Sequence, residues 1–317
     1  MPSLSALREA AGLLDGVALR TPLIDASDGL GRPGAPVFLK AEHLQPVGAF
    51  KVRGAYTAIA RLPEEVRARG VVTQSSGNHG QAVAWAANRF GVRAVVVMPQ
   101  STPAIKVDGV RRFGGEVVFA GATRSAEQLA RAEALVRDEG LVMIPPYNHP
   151  DVMAGQGTIG LEIVEQLPEV AAVLVPVSGG GLLAGIAAAI AELKPGVQVI
   201  GVEPAAAPKL SAALAAGHPV QVERTPSMAD GLLAPAIGDL TFPVIQQIVR
   251  QAVPVSEDEI ARAVRFLHKS LRLTVEPSGA AATAALLAGH VVPPGPTVAL
   301  VSGGNVDPDL FQHLVAE

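Results

Sequence analysis

Short β-branched runs alternate with alanine-rich stretches along most of the chain, at 37–39, 71–73, 94–98, 116–119, 141–144, 172–177, 197–202 and 297–301. Strands spaced by helical segments imply parallel sheets, because parallel neighbours need a crossover long enough to carry the chain back. Helices are predicted over 77–90, 123–138, 155–166, 182–193 and 257–271, the last opening on the Ser256 and Glu259 spacing of a capping box. Residues 1–18 read as a surface helix, since Arg8, Glu9 and Asp15 interrupt any signal-like apolar stretch. Two tracts without Asp, Glu, Lys or Arg, 171–191 and 277–306, are long enough to suggest membrane spans. Gly179, Gly180 and Gly181 break the first and Pro293, Pro294 and Pro296 the second, so both read as buried parts of an α/β core. No repeat or linker is visible, and a second domain would have to be an insertion.

At 317 residues and 49% hydrophobic, the chain can bury two packed lobes or one large α/β unit. A net charge of −4 and the lack of a basic cluster interleaved with aromatics argue against nucleic acid and anionic membranes as partners. With no cysteine there is no disulfide, thiolate nucleophile or zinc–thiolate site, which fits a cytoplasmic protein.

Three glycine-bearing segments sit where a strand hands over to a helix or loop, the place where parallel sheets bind ligands: Ser75-Ser76-Gly77-Asn78-His79-Gly80, Ser178-Gly179-Gly180-Gly181-Leu182 and Ser302-Gly303-Gly304-Asn305. In the second, consecutive glycines can converge backbone N–H groups on a phosphate at a helix start; taken alone, the run is equally a tight turn. It is not G-x-G-x-x-G, and no G-x-x-x-x-G-K-[ST] occurs, so nucleotide motifs do not account for it. Lys51 lies among Phe50, Val52 and Ala55. Such surroundings lower an amine's pKa toward that of an imine-forming nucleophile, although a lone lysine more often lays its stem on apolar surface and keeps its head in water. His43, Glu42 and Trp85 read as structural.

Six segments in order resemble the fold-type-II pyridoxal-phosphate family, and within it the threonine dehydratase and serine racemase branch. They are Phe50-Lys51-Val52-Arg53-Gly54-Ala55, Ser75-Ser76-Gly77-Asn78-His79-Gly80-Gln81, Ala154-Gly155-Gln156-Gly157-Thr158, Ser178-Gly179-Gly180-Gly181-Leu182-Leu183-Ala184-Gly185, Gly201-Val202-Glu203-Pro204 and Ser302-Gly303-Gly304-Asn305. The resemblance implies a two-domain α/β fold like the tryptophan synthase β subunit, with parallel sheets flanked by helices. A small domain, 41–141, would be inserted into a large cofactor-binding domain of 1–40 plus 142–317. It also implies pyridoxal 5'-phosphate attached to Lys51, with Phe50 beside the ring and Asn78 bonded to its phenolic oxygen. Gly179, Gly180, Gly181 and Leu182 would hold the phosphate, and Ser302 would face the ring nitrogen. Ser75, Ser76, Gly77, Asn78 and His79 would receive the carboxylate of a small amino-acid substrate. A cytoplasmic homodimer is the further expectation.

A hydroxyl such as that of Ser302 cannot strongly stabilise a protonated ring nitrogen, so the ring is a weaker electron sink. Charge at Cα is then better relieved by expelling a β-hydroxyl. The implied activity is dehydration of L-threonine, and of L-serine, to a 2-oxo acid and ammonia. The rivals are an amino-acid racemase of the same fold, a 3-hydroxyaspartate dehydratase and a non-catalytic amino-acid binder. One extra methyl changes discrimination by only about 1–3 kcal/mol, so the motifs do not separate threonine from serine. No basic partner for a second carboxylate stands out, which disfavours 3-hydroxyaspartate. Ser76 occupies the position where racemases carry a proton donor opposite the lysine; the plainer reading joins it to Ser75 in the carboxylate loop.

Departures from the family pattern are Val47 and Ala49 in place of Thr and Ser, and the Asn148-His149 pair in place of an acidic stretch. Racemase-like members hold a divalent cation at positions matching Glu203, Ala207 and Lys209. A cationic Lys209 opposes a metal there, so none is expected; its ammonium either sits near Glu203 or points to solvent. Ten residues follow Asp307, leaving no room for the regulatory domain of feedback-inhibited dehydratases, and isoleucine control through such a domain is not expected.

Overall fold

The computed structural model describes every residue except Ser76, Arg124, Ser125, Arg224 and Glu317. Ten strands form two sheets among the described residues: β1 (Leu23–Asp25), β2 (Val37–Ala41), β3 (Val71–Gln74), β4 (Ala94–Met98), β5 (Glu116–Phe119), β6 (Val142–Met143), β7 (Ala172–Pro176), β8 (Gln198–Pro204), β9 (Gln251–Val255) and β10 (Thr297–Val301). The six-stranded sheet runs β1-β2-β10-β7-β8-β9 and the four-stranded sheet β5-β4-β3-β6. Every pairing is parallel except β1 with β2. Central strands β4, β7 and β10 are buried at every residue, as strands covered by helices on both faces must be.

The predicted helices form with shifted ends. Ser256 and Glu259 close their capping box at the start of Glu257–Leu271. The helix predicted from residue 155 begins earlier, as Pro150–Gln166, because His149 caps it: its Nδ1 accepts from the Asp151 N–H at 3.2 Å, and Pro150 suits a first turn that needs no donor. Asn148 accepts from the Leu240 N–H at 2.8 Å, so the Asn148-His149 pair fixes a loop and a helix start. Val47 and Ala49 are both buried. No helix among the described residues is long and apolar enough to cross a membrane.

Close helix packing positions the two loops that matter. Helix Pro150–Gln166 lies between Lys51–Ala60 and Gly181–Leu193. A Cβ on Gly155 would sit 2.5 Å from the Arg53 carbonyl, and one on Gly185 2.4 Å from the Met153 carbonyl, so only glycine permits these crossings. The Ala154-to-Thr158 motif is therefore a packing device that brings the starts of the two outer helices to one place. Beneath it, buried Arg53 bonds Glu42 through Nε and Nη2, both at 2.8 Å, and Glu162 at 2.6 Å. Lys40 reaches Glu162 at 2.5 Å and the Thr21 carbonyl at 2.7 Å. Burial works to raise the Glu42 carboxyl, but Arg53 and Lys40 outweigh it and hold its pKa below the usual value. This network anchors the lysine-bearing helix to β2, which gives Glu42 its structural role.

Candidate active site

A cavity of about 700 Å³ opens between the carboxyl ends of the two sheets' strands. Its walls include Phe50, Lys51, Ser75, Gly77, Asn78 and His79 from one side and Gly179, Gly180, Gly181, Leu182 and Ser302 from the other. The described residues that the sequence assigned to cofactor and substrate thus meet in one space. Ser76 lies outside the described residues.

Lys51 is the first residue of its helix and is half-buried. Its Nζ donates to the Pro146 carbonyl at 2.6 Å and lies 5.1 Å from the Phe50 ring centroid. Burial lowers the amine from 10.5 to about 8, so a useful fraction is the neutral nucleophile near pH 7. His79 is buried behind it, with Nε2 3.0 Å from the Ile144 carbonyl. A carbonyl only accepts, so Nε2 carries the hydrogen. Burial and the charge of Lys51 push the imidazole down to about 3, leaving it neutral.

The glycine loop is shaped for an anion. Gly180 has φ +91°, and a Cβ on Gly179 would lie 2.3 Å from the Tyr147 ring. The first backbone bond into helix Gly181–Leu193 is from Ala184 to Gly180, so the N–H groups of Gly181, Leu182 and Leu183 have no acceptor in the preceding turn. No acidic side chain occupies the helix's first turn. These donors and the helix dipole favour a phosphate. Ser302 is buried at the end of β10, and its carbonyl accepts from the Phe50 N–H at 3.1 Å.

Sequence reasoning missed Glu276, Tyr147, Lys106 and Asp230, all on the cavity wall. Only Glu276 had a usable signal: it is the last charged residue before the charge-free tract 277–306. Lys106 and Asp230 form an ion pair across the cavity, so a basic residue is present in the site after all, already matched by a carboxylate.

Elsewhere, Lys209 is fully buried rather than solvent-facing. Its Nζ donates to the Ala207 carbonyl at 2.9 Å and lies 3.9 Å from Glu203 Oε2. Glu203 also accepts the N–H groups of Leu210 at 2.6 Å and Ser211 at 2.8 Å. An ammonium thus stands beside this carboxylate.

The family described as "Pyridoxal-phosphate dependent enzyme" matches residues 14–303. The chain belongs to the pyridoxal-phosphate dependent enzymes. Among members of this family, L-threonine ammonia-lyase of Geobacter sulfurreducens is 45% identical over 302 residues, covering 95% of this chain and 75% of that protein. The crystal structure of threonine deaminase from T.th. superposes with a TM-score of 0.91 at 40% identity, covering 96% of this chain and 99% of that one. Maize serine racemase superposes with a TM-score of 0.93 at 36% identity, covering 99% and 97%. The cavity suits the family's cofactor on its own terms, offering an amine of lowered pKa, a glycine loop at which any Cβ would strike Tyr147, Thr241 or Ile245, and a buried hydroxyl and a half-buried amide on facing walls.

Proposed function

We propose that this chain is an L-threonine ammonia-lyase that also accepts L-serine, releasing a 2-oxo acid and ammonia. The observation that carries the reading is Lys51, an amine lowered to about 8 and hydrogen-bonded to a single carbonyl, in a cavity that also holds a phosphate-shaped glycine loop. Similarity to the Geobacter sulfurreducens L-threonine ammonia-lyase supports the choice of substrate. Gly179, Gly180, Gly181 and Leu182 would hold the cofactor's phosphate, Asn78 its ring oxygen and Ser302 its ring nitrogen, with Lys51 as the covalent attachment. When bound, the cofactor supplies an electrophilic carbon for amine exchange and a conjugated system that takes electron density from Cα.

With the cofactor carrying the substrate, the neutral Nζ of Lys51, no longer needed as the attachment, would take the Cα proton. The Ser75-to-His79 segment, at the start of helix Asn78–Arg89, receives the substrate carboxylate. Ser302 would offer a neutral hydroxyl, so electron density released at Cα would expel the β-hydroxyl, which leaves as water on receiving the proton that Lys51 Nζ took from Cα. Water returns in hydrolysis of the released enamine, and the net products are the 2-oxo acid and ammonia. Purified protein incubated with L- and D-threonine and serine tests this, with 2-oxo acid and chiral composition followed together. L-threonine giving 2-oxo acid sustains the reading. Likeness to maize serine racemase favours a second reading, which the same assay selects if serine changes hand faster than either substrate yields oxo acid.

A further inference from the structure

We infer that Glu276 is a positioning residue of this site: its carboxyl fixes the carboxamide of Asn78 so that an N–H donor faces the cavity. The inference rests on the pyridoxal-phosphate reading above. Four groups from distant parts of the chain form one hydrogen-bonded line. Asn305 Nδ2 donates to the Val47 carbonyl at 2.7 Å and to Asn78 Oδ1 at 2.8 Å, and Asn78 Nδ2 donates to Glu276 Oε1 at 2.7 Å. The Val47 carbonyl can only accept, so it turns the amine of Asn305 toward itself and hence toward the oxygen of Asn78. Glu276 settles the other end. Asn78 keeps one unused N–H on Nδ2, and the cavity is where a ring oxygen would take it.

The surroundings of Glu276 show that this contact is built rather than incidental. It stands at the N-cap of helix Pro277–Leu287, yet its side chain makes no capping bond and turns to Asn78 instead. A Cβ on Gly303 would lie 2.1 Å from Oε1, so glycine leaves the carboxyl its place. The residue is only 8% exposed. Burial first, then the charge of Asp230, pushes its pKa up to about 8, against the opposing pull of the Asn78 bond and Lys106. At neutral pH the group is mostly the uncharged acid, so it accepts from Asn78 without setting a negative charge beside the oxygen that Asn78 is to hold.

The test reads the visible absorption band and cofactor dissociation constant of the holoenzyme for wild type, Glu276→Gln, Glu276→Leu, Asn78→Ala and the double variant Glu276→Leu/Asn78→Ala. Gln keeps an acceptor, and its band and constant stay within about twofold of wild type. Leu fills similar space without an acceptor, moves the band and weakens cofactor binding about tenfold. Glu276→Met carries the same expectation, so the test does not depend on one variant folding. In the Asn78→Ala background the Leu change costs less than about threefold. Damage by Gln equal to that by Leu, a full tenfold loss in the Asn78→Ala background, or no effect of Leu would each overturn the assignment. A wild-type protein without the cofactor on Lys51 overturns the pyridoxal-phosphate reading instead.

Discussion

An ordinary lysine at neutral pH is almost wholly ammonium and a poor nucleophile; desolvation at the cavity wall changes that for Lys51, whose value falls to about 8. The sign follows directly. Raising pH through 8 converts the cofactor-free protein to its neutral amine, so the rate of cofactor attachment climbs from about a tenth of its maximum at pH 7 and levels off above about pH 9. A rate still climbing steeply at about pH 10 would report an unperturbed lysine. Borohydride reduction and peptide mapping should place the adduct on Lys51 rather than on Lys40 or Lys106. Lys40 is committed to Glu162 and Lys106 to Asp230. Lys51→Ala abolishes turnover. Ser302 tests the other end of the ring: Ser302→Asp replaces a neutral hydroxyl with a carboxylate, protonates the ring nitrogen more fully, and lowers elimination by about tenfold or more while the cofactor stays bound. Unchanged elimination in that variant places Ser302 away from the nitrogen.

In the proposed site helix starts, rather than isolated side chains, would do most of the binding, and their loops are correspondingly intolerant. Gly180 has φ +91° with Thr241 Oγ1 2.8 Å from any added Cβ, so Gly180→Ala costs roughly 1–3 kcal/mol and weakens phosphate retention, measurable by urea unfolding and cofactor release. At the start of helix Lys209–Ala216, Glu203 is satisfied by two backbone N–H groups and the buried Lys209 ammonium. Activity accordingly resists chelators and gains nothing from magnesium; strong activation by magnesium would show that a cation enters regardless. Lys209→Met leaves Glu203 buried without its countercharge and destabilises the fold by about 3–5 kcal/mol. The loops were legible because each is a contiguous motif between a strand end and a helix start. Strand β9 was not, since Pro254 interrupts its pattern; the sheet tolerates it because β9 is an edge, where a missing N–H breaks no ladder. Strand β1 has three residues, too few for a period. The Asn78–Glu276 contact spans 198 residues, a separation at which no local pattern speaks.

At the scale of the molecule the cavity lies between two sheets, and the expected insertion of 41–141 into 1–40 plus 142–317 would let the two units close over a substrate. Such closure would exclude water from the reacting carbon. Arg53, within 41–141, is ion-paired with Glu162 outside it, and Glu162 also pairs with Lys40, so this network ties the two segments together. Near the mouth, Lys106 on helix Ala104–Arg112 pairs with Asp230 on the turn Asp230–Leu232, and both line the cavity. Their side chains are 26% and 48% exposed, so solvent screens the pair and its worth is at most about 1 kcal/mol, or roughly fivefold in an equilibrium constant. If the pair holds the closed form, salt weakens it and KM for L-threonine rises up to about fivefold as salt reaches about 0.5 M, where the screening length is only a few ångströms. Lys106→Gln starts at the raised KM and responds little to salt, with the cofactor's visible band unchanged because the change lies at the mouth. A variant that keeps the wild-type KM and salt response would show that closure is held by the packing of helices alone.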